Sequence, residues 1–157
     1  GKTTRAVGLA IRAAGAGLKV NFIQFMKSGN AGEVVIFADI ANIRYQCPGK
    51  HPFIRSGGPE AVHYNHAAKA FDYAIEALAD GAQLLVCDEI LNTLIFGLLK
   101  KEKIIQLMGM CRGKTELVMT GASTPADIIK QADYATEFRQ IKHPYYSGTM
   151  ARRGIEF

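Results

Sequence analysis

Four consecutive apolar residues, Leu84-Leu85-Val86-Cys87, stop abruptly at two acids, Asp88-Glu89. A strand with one wet face alternates apolar and polar side chains, so an unbroken apolar run reads as a strand covered on both faces. Helices must supply that cover, and the sequence provides them on either side. Residues 60–80 keep one apolar stripe, Ala67, Ala70, Phe71, Ala74, Ile75 and Leu78, and stop at Gly81. Residues 2–14 repeat Ala6, Leu9, Ala10 and Ala13 at helical spacing ahead of Gly15 and Gly17.

The same reading predicts further strands at 19–26, 42–47 and 115–120, and a final long strand at 136–141. Helices are predicted at 33–40, 91–98, 101–110 and 124–131, and the proline- and glycine-rich stretch 48–59 reads as a long loop. Strands alternating with helices predict an α/β fold, a mostly parallel sheet flanked by helices. With 157 residues and neither a repeat nor a linker, a single domain over residues 1–157 is expected.

Composition narrows the function. Apolar residues at 48 % and charged residues at 21 % exclude disorder. The longest apolar stretches fall well short of the roughly 20 residues that cross a bilayer, so no membrane span is expected. The N-terminus has no charged segment followed by an apolar run and a cleavage site, which makes a cytoplasmic location the expectation. The net charge of +5 comes from 19 dispersed Lys and Arg, with Lys100, Lys101 and Lys103 as the densest run. Without a basic stripe and interleaved aromatics, a small phosphorylated ligand is a better match than nucleic acid. Three cysteines, Cys47, Cys87 and Cys111, form neither a disulfide framework nor a zinc pattern and read as reduced core thiols.

The chain opens on Gly1-Lys2-Thr3-Thr4 at a helix start, the tail of the phosphate-binding loop G-x-x-x-x-G-K-[ST]. The first strand and the first half of that P-loop are absent from this chain. A helix N-terminus offers amide donors and a positive dipole to an anion. In that frame Lys2 reaches the outer phosphates and the Thr3 hydroxyl binds Mg²⁺. The acids ending 84–89 resemble a Walker B strand, whose carboxylate suits a hard cation. Asp88 and Glu89 point to opposite faces if the strand continues, so they divide the work. A P-loop NTPase-like fold that binds a nucleoside triphosphate is therefore expected. Thr120-Gly121, Arg12 and Lys142-His143 are further candidates for the site, and Phe53 is the aromatic that stands in the long loop.

Together these residues resemble the P-loop ATP:corrinoid adenosyltransferases, which act on cob(I)alamin or cob(I)yrinic acid a,c-diamide. The resemblance rests on Gly1-Lys2-Thr3-Thr4 with Gly8, Arg12, Ala13 and Gly15, on Val20-Asn21-Phe22-Ile23-Gln24-Phe25-Met26-Lys27, and on Val86-Cys87-Asp88-Glu89. The C-terminal part adds Thr120-Gly121, Asp127-Ile128, Ala132-Asp133, Thr136-Glu137, Lys142-His143-Pro144, Gly148 and the segment Ala151-Arg152-Arg153-Gly154-Ile155-Glu156-Phe157.

The resemblance implies transfer of the 5′-deoxyadenosyl group of ATP to the cobalt of a Co(I) corrinoid, with triphosphate released. It implies Lys2 and Glu89 as catalytic residues, Thr3 and Glu89 as Mg²⁺ partners, and Gly1, Lys2, Thr3, Thr4, Arg12, Phe53, Thr120 and Gly121 as ligand-binding. A homodimer is implied, and an electron-donating flavoprotein is allowed as a partner. The nucleotide scaffold alone equally admits a phosphohydrolase or kinase, or a non-catalytic nucleotide- or corrinoid-binding module.

Overall fold

The computed structural model describes residues 1–156. In chain order the elements are α1 (Lys2–Gly15), β1 (Val20–Gln24), α2 (Gly32–Phe37), β2 (Ile43–Gln46), α3 (Ala61–Ala79), β3 (Leu84–Asp88), α4 (Asn92–Ile95), α5 (Lys101–Cys111), β4 (Glu116–Met119) and α6 (Ala126–Ile129). A 3-10 turn, Pro144–Ser147, follows.

The four strands form one parallel sheet in the order β2-β1-β3-β4. The apolar run singled out in the sequence is the inner strand β3, all five residues of which are buried. Its register places Phe22 opposite Val86 on one side and Val118 opposite Val86 on the other. Because successive side chains on a strand alternate faces, each strand feeds two cores. Leu84 and Val86 join Val20 and Phe22 against Ala6, Ala10 and Ala13 of α1. Leu85 and Cys87 join Ile23 and Phe25 against Ala67, Ala70, Ala74 and Ala77 of α3, with Ile104, Leu107 and Cys111 of α5 closing the same core. Small alanines on both helices let them lie close to the sheet.

The start of α3 is fixed by a reciprocal cap. The Glu60 side chain accepts a backbone amide of the first turn, and the Glu60 amide donates to His63 Nδ1 at 2.8 Å. This is capping-box logic with histidine in the place usually taken by Glu or Gln. Cys47, Cys87 and Cys111 are free thiols, and burial pushes Cys111 up to about 11.

One predicted element is corrected. Residues 136–141 form no strand: they run exposed and without a ladder. A strand needs a neighbour for its amides and carbonyls, which side-chain alternation alone does not provide. Phe138 instead lays its ring against Gly1, with Cδ1 3.2 Å from where a Gly1 Cβ would stand. Phe157, the last residue of the C-terminal block, lies outside the described residues.

Candidate active site

The carboxyl ends of β1 and β3 and the N-terminus of α1 meet at one end of the sheet. The helix's first turn bonds through the Arg5 amide to the Gly1 carbonyl at 2.9 Å, which leaves the amides of Lys2, Thr3 and Thr4 as the donors every helix start exposes. No acidic side chain occupies that first turn. An anion placed there meets amide donors, the helix dipole and Lys2.

Asp88 shares a strand face with Leu84 and Val86, the face that α1 covers, so its carboxylate arrives beside the helix start. The Thr3 hydroxyl lies 3.1 and 3.2 Å from its two oxygens. The Thr120 hydroxyl donates to Oδ1 at 2.7 Å while accepting the Glu89 amide at 2.8 Å. Lys27 donates through Nζ to Asp88 Oδ2 at 2.7 Å and to Thr3 Oγ1 at 2.9 Å. Asp88 is 0 % exposed, and a carboxylate so buried requires this full set of partners.

Glu89 leaves the strand with φ 64°, a left-handed conformation rare for a residue with a side chain. It faces the cavity beyond Asp88. Burial raises its carboxyl above the usual range, and Asp88 adds to this, while the Lys27 and Lys2 ammonium groups pull it back. The expected division between the two acids is therefore physical: Asp88 is locked to the helix start, and Glu89 opens toward the ligand space.

That space is a cavity of about 980 Å³, within the range of small-molecule sites. Thr3, Thr4, Lys27 and Glu89 contribute to one part of its lining, the loop residues His51, Pro52, Phe53 and Ile54 to another, and Gly154, Ile155 and Glu156 bring in the C-terminal segment. Phe53 is 95 % exposed. Behind it the loop is pinned by histidines. His66 Nε2 sits 3.1 Å from the carbonyls of both Lys27 and Gly49, and His63 Nε2 sits 3.1 Å from the Pro52 carbonyl. A carbonyl only accepts, so these nitrogens carry protons. His51 meets both rings edge-on, with centroids 5.0 and 4.8 Å away. Burial, then His66 and His63, push its pKa down to about 4, which leaves it neutral at pH 7.

Of the residues selected from sequence, Lys2, Thr3, Thr4 and Glu89 gather at this end of the sheet, and Phe53 lines the same cavity as Thr3, Thr4 and Glu89. Gly1 leads into α1. Thr120 and Gly121 stand behind Asp88 as its support. A Cβ on Gly121 would come within 2.6 Å of Leu91 Cβ and 2.9 Å of the Asn92 amide nitrogen, so only glycine fits there. Arg12 does not join them. It is exposed near the far end of α1, about 14 Å along the axis from Thr3 at 1.5 Å per residue. His143 accepts the Tyr145 amide at 3.1 Å and caps the 3-10 turn.

Sequence reasoning carried Lys27 only as the last residue of a motif block, with no role, and gave Asp88 no partner. The signal was present in both cases: Lys27 follows the carboxyl end of the strand next to β3, and Asp88 has the parity of the residues that α1 covers. The chemistry of the set fits a hard divalent cation, since hydroxyl and carboxylate oxygens converge and a cationic ammonium already stands against them.

A family model described as ATP:corrinoid adenosyltransferase BtuR/CobO/CobP matches residues 1–157. The corrinoid adenosyltransferase of Pseudomonas aeruginosa is 29 % identical over 160 residues, covering 100 % of this chain and 78 % of the relative. That of Escherichia coli K12 is 26 % identical over 158 residues, covering 100 % and 80 %. The corrinoid adenosyltransferase CobA of Salmonella typhimurium is 27 % identical over 158 residues with the same coverage. With its parallel α/β sheet and a helix start that meets an acid-ended strand, this chain belongs to the ATP:corrinoid adenosyltransferase family.

Proposed function

We propose that this chain transfers the 5′-deoxyadenosyl group of ATP to the cobalt of a Co(I) corrinoid and releases triphosphate. The observation that carries the reading is a single cavity lined both by the start of α1, through Thr3 and Thr4, and by the exposed ring of Phe53. Phosphates belong at the first end and an apolar macrocycle at the second.

The reaction asks little covalent chemistry of the protein. The electron pair on Co(I) attacks the ribose 5′ carbon, the C5′–O bond breaks, and its electrons leave on the triphosphate. Lys2 and the free amides of α1 stabilise the charge that builds on that leaving group. Thr3 and Glu89 would hold Mg²⁺, as the resemblance implies, and Asp88, whose carboxylate lies 3.1 Å from the Thr3 hydroxyl, would add its oxygens beside them. When bound, the ion neutralises phosphate oxygens. Thr120 orients Asp88, and Phe53 offers the corrin ring an apolar surface. No side-chain nucleophile is needed, in keeping with a Cys87 thiol that burial keeps protonated.

The same reading takes residues 1–157 as one domain acting as a cytoplasmic homodimer. Exposed Tyr134, Ile141, Tyr145, Tyr146 and Met150 on the C-terminal segment support self-association. An electron-donating flavoprotein would supply Co(I). The test is incubation with ATP, Mg²⁺ and chemically reduced cob(I)alamin, following the corrinoid spectrum together with the phosphorus product. Adenosylated corrinoid and triphosphate in equal amounts are expected. Phosphate or diphosphate with an unchanged corrinoid would instead identify a phosphohydrolase or kinase.

A further inference from the structure

Lys27 stands where a metal ion would have to stand. Its ammonium contacts Asp88 Oδ2 at 2.7 Å and Thr3 Oγ1 at 2.9 Å, the two oxygens best placed to hold a divalent cation beside the helix start. A cation bonded to those same oxygens and the ammonium cannot both occupy this space. We propose that Lys27 is a built-in occupant of the cation seat, a positioning residue that closes the seat in the empty protein and is exchanged for the metal when metal and nucleotide enter together. This rests on the nucleotide-site reading and adds to it the order in which charge is handled.

Three observations support the exchange. Asp88 is 0 % exposed, so its charge needs a partner at all times, and without a ligand Lys27 is the only cation within salt-bridge distance among the described residues. The Lys27 side chain is 25 % exposed and lines the cavity, so its flexible four-carbon stem has room to swing while the ammonium stays in the site. The backbone cannot follow. The Lys27 carbonyl accepts from His66 Nε2 at 3.1 Å and from Cys47 Sγ at 3.3 Å, and Met26 just before it turns at φ 52°.

The consequence is thermodynamic coupling. Metal alone must displace an ammonium from the buried Asp88 and leave it only the Glu89 carboxyl in the same cavity, whereas metal carried by a triphosphate brings a stronger anion to receive it. Each ligand therefore strengthens the other by one shared factor.

The test is Mn²⁺ binding to the nucleotide-free full chain, read by electron paramagnetic resonance, with and without ATP and with no corrinoid present. Lys27→Met keeps the stem and removes the charge. It is expected to bind Mn²⁺ alone at least tenfold more tightly than wild type, and the gain in Mn²⁺ affinity on adding ATP is expected to shrink by a similar factor. Adding Asp88→Asn to Lys27→Met should abolish the tightening. Lys27→Gln, whose amide can still bond Asp88, is the second variant should Lys27→Met not fold by circular dichroism. Mn²⁺ affinity in the folded variant equal to or weaker than wild type overturns the proposal, as does a tightening that persists with Asp88→Asn. Since no corrinoid is used, failure here is distinct from failure of the adenosyl-transfer reading.

Discussion

Thr3, at the start of the first helix, places its hydroxyl 3.1 Å from the carboxylate of Asp88, at the end of a strand 85 residues later. Each residue belongs to a motif in its own segment, but neither motif shows that the two meet. The contact exists because Asp88 has the same strand parity as Leu84 and Val86, which α1 covers with Ala6, Ala10 and Ala13. Core packing thus aims the carboxylate.

Glu89 gives the first prediction. It faces the cavity rather than Thr3, and its carboxyl is raised by burial against the pull of Lys27 and Lys2. Glu89→Gln keeps the size and removes the charge, and steady-state adenosylation is expected to fall by at least about 10²-fold, the scale of losing one strong electrostatic contact. Full activity would confine the acidic role to Asp88.

Gly121 tests the support behind the site. A methyl at this position would come within 2.6 Å of Leu91 Cβ and 2.9 Å of a backbone nitrogen, and backbone does not give way cheaply. Gly121→Ala is expected to cost about 1–3 kcal/mol in urea denaturation. A wild-type midpoint would show that the 89–92 turn can move.

Acid should loosen the loop that carries Phe53 first. His51 is neutral in the folded chain, its pKa pushed down to about 4, and burial lowers His66 as well. Unfolded histidines take up a proton near pH 6.5, so the open chain binds more protons below that value. The stability these rings contribute is present above pH 6.5 and is lost as pH falls toward 4. Amide hydrogen exchange in residues 48–54 should accelerate over that window beyond its chemical pH dependence. Protection that stays constant would mean that the histidines do not hold the loop.

Phe53 separates stability from function. At 95 % exposure it packs against little, so Phe53→Ala should leave stability within about 0.5 kcal/mol of wild type. Reduction of Co(II) is easier without a lower axial ligand, and an apolar ring excludes one. The variant should lose at least about tenfold in rate, or about 1.4 kcal/mol of barrier, when Co(II) and a protein reductant are supplied, and much less with ready-made Co(I). Equal losses in the two assays would make Phe53 a wall of the pocket only.

Strong periodicity made most of the fold legible. The apolar run 84–87 and the alanine stripes of α1 and α3 are local patterns, and each became the element it predicted. Residues 136–141 carry a strand-like sequence too, but a strand is a property of a pair, and among the described residues no strand pairs with them. The site was legible where a residue type declares its chemistry, as at Gly1-Lys2-Thr3-Thr4 and Asp88-Glu89. It was not legible where chemistry comes from convergence. Lys27 ends a motif block but has no visible role until β1 is laid beside β3, and the distance of Arg12 from Thr3 follows only from the length of α1.

Calorimetric titration of Mg²⁺·ATP tests most directly whether the helix start and the acid-ended strand form one nucleotide site. Lys2→Ala removes the point charge at the helix start, and Asp88→Asn removes the carboxylate that Thr3 meets. The account predicts that each variant, folded by circular dichroism, binds Mg²⁺·ATP at least about tenfold more weakly than wild type, or about 1.4 kcal/mol. Wild-type affinity in both would contradict it and make Gly1-Lys2-Thr3-Thr4 an ordinary helix start.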